Sequence, residues 1–148
     1  MTDSDVERIL GIDTRVTLLL AGLIFLWALA LGVWKFRQMA TSEQHVAHPY
    51  VDIAHRAALM YSFATLLLAV FVQLSGWATA VNLAAALVVV AFFVAAIASY
   101  MVHGLLRDTD NQFAHPARGT HAFMIALIAG EVGGTAVLVA GFVNAQFC

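Results

Sequence analysis

A chain of 148 residues that is 62% hydrophobic and only 11% charged carries more apolar surface than a soluble domain of that size can bury. The bilayer is therefore its main solvent, and a net charge of −2 with seven lysines and arginines excludes a basic nucleic-acid-binding surface. The one cysteine, Cys148, is the last residue, which leaves no internal disulfide.

The polar, acidic stretch Met1–Arg15 is unlike the basic start of a signal peptide. The apolar run after it, Val16–Phe36, is too long for a signal sequence and predicts a first membrane span, since a helix needs about 20 residues at 1.5 Å each to cross hydrocarbon. No ionisable group lies between Thr17 and Trp34, so this helix is expected to be the most lipid-facing, with Trp27 and Trp34 filling gaps or anchoring. The segment Lys35–Arg56 is polar and holds His45, His48 and His55. Pro49 fits the first helical position, where its missing N–H costs nothing. Asp52 follows in the first turn, with His55 and Arg56 three and four residues on. It either pairs with Arg56 or orients His55 as a supporting carboxylate orients a ligating imidazole.

A second span, Ala57–Trp77, carries Tyr61, about 9 Å deeper than His55 along a helix and turned well around it. Ala78–Asn82 predicts a tight turn, making the second and third spans antiparallel neighbours. The third span, Leu83–Leu106, has Tyr100 and His103 three apart on one face, so an imidazole on span two and a phenol on span three are placed to line one pocket. Trp34 and Trp77 suit the membrane–water interface. A second polar loop, Arg107–Gly119, leads to a fourth span, Thr120–Phe147. Glu131 lies near its middle, where an ionised carboxylate is costly, so it is expected to face the bundle, protonated or paired. Gly130 and Gly134 form a small-xxx-small pair suited to close helix approach. Glu131 is then either a packing group or a proton-relay or substrate group. Open strands are excluded in lipid, so the fold class is all-α, a single four-transmembrane-helix bundle over residues 1–148.

All six histidines fall at one end of these spans: His45, His48, His55, His103, His115 and His121. Lys35, Arg37, Arg56, Arg107 and Arg118 lie on the same side, whereas Arg8 and Arg15 on the other are diluted by Asp3, Asp5, Glu7 and Asp13. The excess of basic residues predicts cytoplasmic His-bearing loops and outward termini. The asymmetry suggests a cofactor or metal site near one face of the bilayer. There is no HExxH, CxxC, phosphate-binding glycine loop or nucleophile elbow, and the His45-x-x-His48 pair is a bare metal signal. Without thiolate clusters, haem or an imidazole-bound metal suits the inventory better than an iron–sulfur centre.

Read in order, His55 opening span two, Tyr100 late in span three and the triplet Asn111-Gln112-Phe113 in the next loop resemble the styrene oxide isomerase family, small four-helix bacterial membrane enzymes that carry haem b. The resemblance follows span order along the whole chain. It implies a homotrimer in the bacterial inner membrane with haem b between neighbouring protomers and His55 as axial iron ligand. The residues' own spacing adds Asp52, as the carboxylate behind that imidazole, and His103, as a candidate second ligand, to the cofactor-binding set. It further implies ferric iron as Lewis acid on the oxygen of an apolar epoxide, ring opening, a 1,2-hydride shift and release of an aldehyde. Tyr100, with Tyr61, would position the substrate over the haem face opposite His55. Two pocket positions differ: Tyr61 stands where the family has an asparagine and Phe92 where it has an aspartate. The alternatives are a haem-binding sensor or electron carrier, and a haem-free module: a divalent-metal site using His45, His48, His115 and His121, a small transporter around Glu131, or a structural subunit.

Overall fold

The computed structural model describes residues 9–148. Asp3, Asp5, Glu7 and Arg8, which weigh in the expected orientation, lie outside the described residues. Four helices follow one another: α1 (Ile12–Thr41), α2 (Pro49–Leu74), α3 (Thr79–Leu106) and α4 (Thr120–Phe147). There is no strand among the described residues, and all four helices are long and apolar enough to cross a membrane. The chain is a four-helix membrane bundle. The spans read from the sequence sit inside these helices, except that the second helix ends at Leu74. The turn expected at Ala78–Asn82 lies earlier, at residues 75–78, with Trp77 in it and residues 79–82 already in α3. α1 and α2 each run beyond hydrocarbon at the histidine end, which shortens the first polar loop to the few residues between Thr41 and Pro49. Pro49 opens α2 as expected, and the His48 side chain caps it by accepting from the Tyr50 backbone N–H at 3.3 Å.

α2 and α3 form the central pair. α1 packs mainly on α2 and α4 mainly on α3, and α1 and α4 barely meet. Small residues set these approaches. On α1, Ala21, Ile24, Ala28 and Leu31 make one buried stripe, and on α2, Val51, Ala54 and Ala58 are buried at the same end. The core continues through Val89, Phe93 and Ile97 of α3 to Leu138 of α4. Buried hydroxyls bond back to their own helix, Thr17 to the Asp13 carbonyl at 2.7 Å and Thr65 to the Tyr61 carbonyl at 2.7 Å, so these two side chains are satisfied within the apolar interior.

The expected lipid-facing helix is corrected. In its most apolar window α1 is 28% buried and α4 only 6%, so α4 is the more exposed of the two. Lack of charge does not decide which helix is peripheral; the small-residue stripe of α1 lets it seat closely on α2, whereas α4 presents bulky residues such as Ile125, Ile128 and Val132 outward. The small-xxx-small pair does what its pattern predicts. A Cβ on Gly130 would overlap the Phe92 ring, and one on Gly134 would overlap Val89, so α4 touches α3 through its glycines.

The end away from the histidines is tied by hydrogen bonds. The Gly76 N–H donates to the Gly141 carbonyl at 3.0 Å, and Trp77 Nε1 donates to the Val137 carbonyl at 2.9 Å. Asn82 Nδ2 donates to the buried carboxylate of Asp13 at 3.3 Å, joining α3 to α1. The α2–α3 turn is thereby docked on both flanking helices.

Candidate functional site

His55 lies in the second turn of α2 and faces α1. Its Nδ1 is 2.9 Å from the carbonyl oxygen of Ala28, a main-chain group 27 residues earlier. A carbonyl only accepts, so Nδ1 carries the proton and Nε2 presents its lone pair. Nε2 has no hydrogen-bond partner among the described residues. The ring lies over Gly32, where a Cβ would come within 2.9 Å of Cε1. Ala28 and Gly32, four residues apart, thus supply an acceptor and a bare seat for one imidazole. Beyond this seat, the α1–α2 seam opens into an apolar groove lined by Ala21, Gly22, Phe25, Ser62, Phe63 and Leu66 among others. Ser62 is seven residues from His55 on the same face of α2, about 10 Å along the helix.

Asp52 takes the ion-pair alternative. One carboxylate oxygen meets Lys35 Nζ at 2.5 Å and the other meets Arg56 at 2.9 Å, tying α2 to the end of α1. The group that orients His55 is therefore the Ala28 carbonyl rather than this carboxylate. His103 bonds through Nδ1 to Asp108 at 2.9 Å, and its ring lies 5.0 Å from that of Tyr50. The Asp108 carboxyl is held below the usual carboxylate range, first by that hydrogen bond.

Tyr61 and Tyr100 meet in one place, as the antiparallel pairing of α2 and α3 predicts. With Ile53, Arg56, Ala57 and Met60 they line a groove of about 300 Å³. Tyr61 stacks on Phe93 of α3 with ring centroids 4.2 Å apart. Tyr100 stacks on Tyr50 at 6.0 Å. His55 is not part of this groove. The single pocket expected from the sequence is thus two features on different faces of α2: an imidazole seat toward α1 and a two-phenol groove toward α3.

Tyr50 is a residue the sequence reading missed. It stacks on Tyr100 and meets the His103 ring at a tilt, and its hydroxyl accepts from the Gln112 N–H at 2.7 Å. Asn111 closes its own turn by accepting from the Phe113 N–H at 3.0 Å. The Asn-Gln-Phe triplet therefore pins the second loop onto the entrance of α2. The signal for Tyr50 was its place directly after Pro49, in the first turn of α2 and at the level of both loops. The signal for the imidazole seat was the Ala28-xxx-Gly32 spacing, a second small-xxx-small pair.

The remaining histidines do not converge. His48 Nε2 lies 3.2 Å from Asp110, and no group of three or more His, Cys, Asp or Glu side chains capable of holding a metal ion occurs among the described residues. Set against protein-family models, curated proteins and solved structures, the chain has no match.

Proposed function

We propose that this is a haem b-binding membrane protein in which His55 is the axial ligand, and that it isomerises an apolar epoxide to an aldehyde. The observation that carries the reading is the Nδ1–H···O=C bond from His55 to Ala28, with the ring on Gly32. That bond fixes the tautomer and orientation a ligating imidazole needs and leaves Nε2 for the metal. A porphyrin brings four nitrogens of its own and asks the protein for one imidazole, which suits a chain whose histidines do not cluster. The apolar groove continuing from His55 along α1 and α2 suits the edge of a flat, greasy macrocycle.

Bound there, haem would supply ferric iron as a Lewis acid toward an epoxide oxygen. The chain's own residues do the rest. Ala28 and Gly32 hold the imidazole, and the Tyr61 and Tyr100 phenols offer hydrogen-bond donors in a groove whose other lining residues, Arg56 apart, are apolar. Because that groove and His55 lie on different faces of α2, the complete site is assembled in a homotrimer, with one copy supplying His55 and a neighbouring copy supplying the phenols. The membrane is the bacterial inner membrane, with the His-bearing loops cytoplasmic. In a chain that stays monomeric the same separation favours a second reading, a haem-binding sensor or electron carrier.

The test is a visible spectrum of protein purified in detergent from haem-replete cells. A Soret band that disappears in His55→Ala is the expected result, and a colourless wild-type preparation sinks both haem readings. Aldehyde formation from aryl epoxides by the ferric form then separates isomerase from carrier.

A further inference from the structure

Three polar groups at the α2–α3–α4 junction have hydrogen-bonding capacity that the fold leaves unused. Glu131 Oε1 is buried without a hydrogen-bond partner. Neither the Tyr61 nor the Tyr100 hydroxyl bonds to another group among the described residues. Glu131 lies within electrostatic reach of both phenols, yet no hydrogen bond joins it to either. Its position is fixed by packing: Gly130, its neighbour, accepts the Phe92 ring where a Cβ would overlap it, and Gly134 accepts Val89. The Tyr61 ring is held on Phe93 and that of Tyr100 on Tyr50. All three are thus anchored by their frames while their polar ends stay unpaired. In the hydrocarbon layer an unpaired polar group is costly and has no water to turn to.

We propose that Glu131, Tyr61 and Tyr100 form a polar clamp for one oxygen atom of an otherwise apolar ligand, with Glu131 as a carboxylic acid donating alongside the phenols. Glu131 does not line the open groove itself; the ligand's oxygen would bridge the interval between the carboxyl and the phenols. Three donors converging on one acceptor select molecules with a single compact oxygen, such as an epoxide, ketone or aldehyde, over hydrocarbons of the same shape. This deepens the epoxide reading by naming what recognises the substrate's oxygen, but the clamp itself needs no cofactor.

The experiment compares two unreactive probes in protein-loaded nanodiscs: acetophenone, labelled with carbon-13 at its carbonyl, and ethylbenzene, which lacks the acceptor. Binding is read by titration, and the ketone's hydrogen bonding by the infrared position of its carbonyl stretch. Wild type is expected to bind acetophenone more tightly than ethylbenzene and to lower the carbonyl frequency. Glu131→Leu should weaken acetophenone binding about tenfold, the worth of one hydrogen bond, leave ethylbenzene unchanged and return the carbonyl toward its lipid frequency. Glu131→Gln, which keeps a donor, should recover most of the loss and shows that the site still folds. Equal affinity of wild type for the two probes, or equal weakening of both by Glu131→Leu, overturns the proposal. The haem reading fails separately: a colourless wild type that still prefers acetophenone and still depends on Glu131 retains the clamp and loses the isomerase.

Discussion

Replacing Gly32 by alanine sets a methyl carbon 2.9 Å from Cε1 of His55, closer than side-chain carbons approach. The ring must tilt away and loosen its bond to Ala28. If His55 holds haem, Gly32→Ala should weaken haem retention about 10–100-fold, the usual cost of disturbing a ligand's supporting contact. Haem transfer to apomyoglobin measures this, and unchanged retention would show that the seat is irrelevant to the ligand. The imidazole was legible in the sequence as a candidate; its acceptor was not. Every residue owns a carbonyl, and nothing in a one-dimensional string marks the one 27 residues away that a histidine will reach. Asp108 gives a pH prediction of definite sign. Its carboxyl titrates below the ordinary value of 3.8 because of the His103 hydrogen bond. The tie between the end of α3 and its loop is therefore complete above that value and is lost as pH falls through the lower folded one. Amide exchange in the loop should be flat from neutral pH to about pH 4 after correction for intrinsic rates, rise below it, and become pH-independent in Asp108→Asn.

Among the elements, the α2–α3 turn is the most firmly docked. A Cβ on Gly141 of α4 would collide with Ser75 Oγ and with the Trp77 indole, which also donates to Val137. Gly141→Val should destabilise the bundle by about 1–3 kcal/mol through over-packing. Trp77→Phe, which removes only the hydrogen bond and some area, should cost nearer 0.5–1.5 kcal/mol. Thermal unfolding followed by circular dichroism in one detergent ranks the two. The number of helices, the tight connection between α2 and α3, Pro49 and the glycine contacts of α4 all follow from local pattern and could be read in advance, although the turn itself lies at residues 75–78 rather than at Ala78–Asn82. Which helix is peripheral could not. All four runs are nearly free of charge, so exposure is decided by where small residues let backbones approach, and that is a property of pairs of helices. The same limit explains the divided site. The turn of the helix sets Tyr61 well around from His55, but the pairing of α2 and α3 predicts that His55 meets Tyr100, and it is Tyr61 that shares the groove with Tyr100. The direction of His55 depends on α1, through Ala28 and Gly32.

At the scale of the whole molecule, the helix directions put both polar loops at one end and Cys148 at the other. The proposed orientation therefore predicts that a membrane-impermeant maleimide labels Cys148, the only cysteine, from outside intact spheroplasts. Labelling only after lysis would reverse the orientation. The proposed trimer has a mass signature of three 15.9 kDa chains by native mass spectrometry. The exposed α4, 6% buried in its apolar window, has the surface to accept a neighbour. If the intact, haem-loaded protein proves monomeric, or if a monomer alone forms aldehyde from an aryl epoxide, the shared-site proposal fails; a haem-loaded monomer without that activity favours the carrier reading.

The Ala28 carbonyl has a consequence for how such a protein varies over generations. A supporting carboxylate can be erased by one codon change, whereas a main-chain oxygen survives every substitution at its own position. The support for His55 is thus shielded from direct loss and vulnerable mainly at Gly32, where the smallest residue is the requirement. Drift at Ala28 can adjust the fit of the two helices without removing the acceptor, leaving the imidazole's tautomer as one of the least mutable properties of this chain.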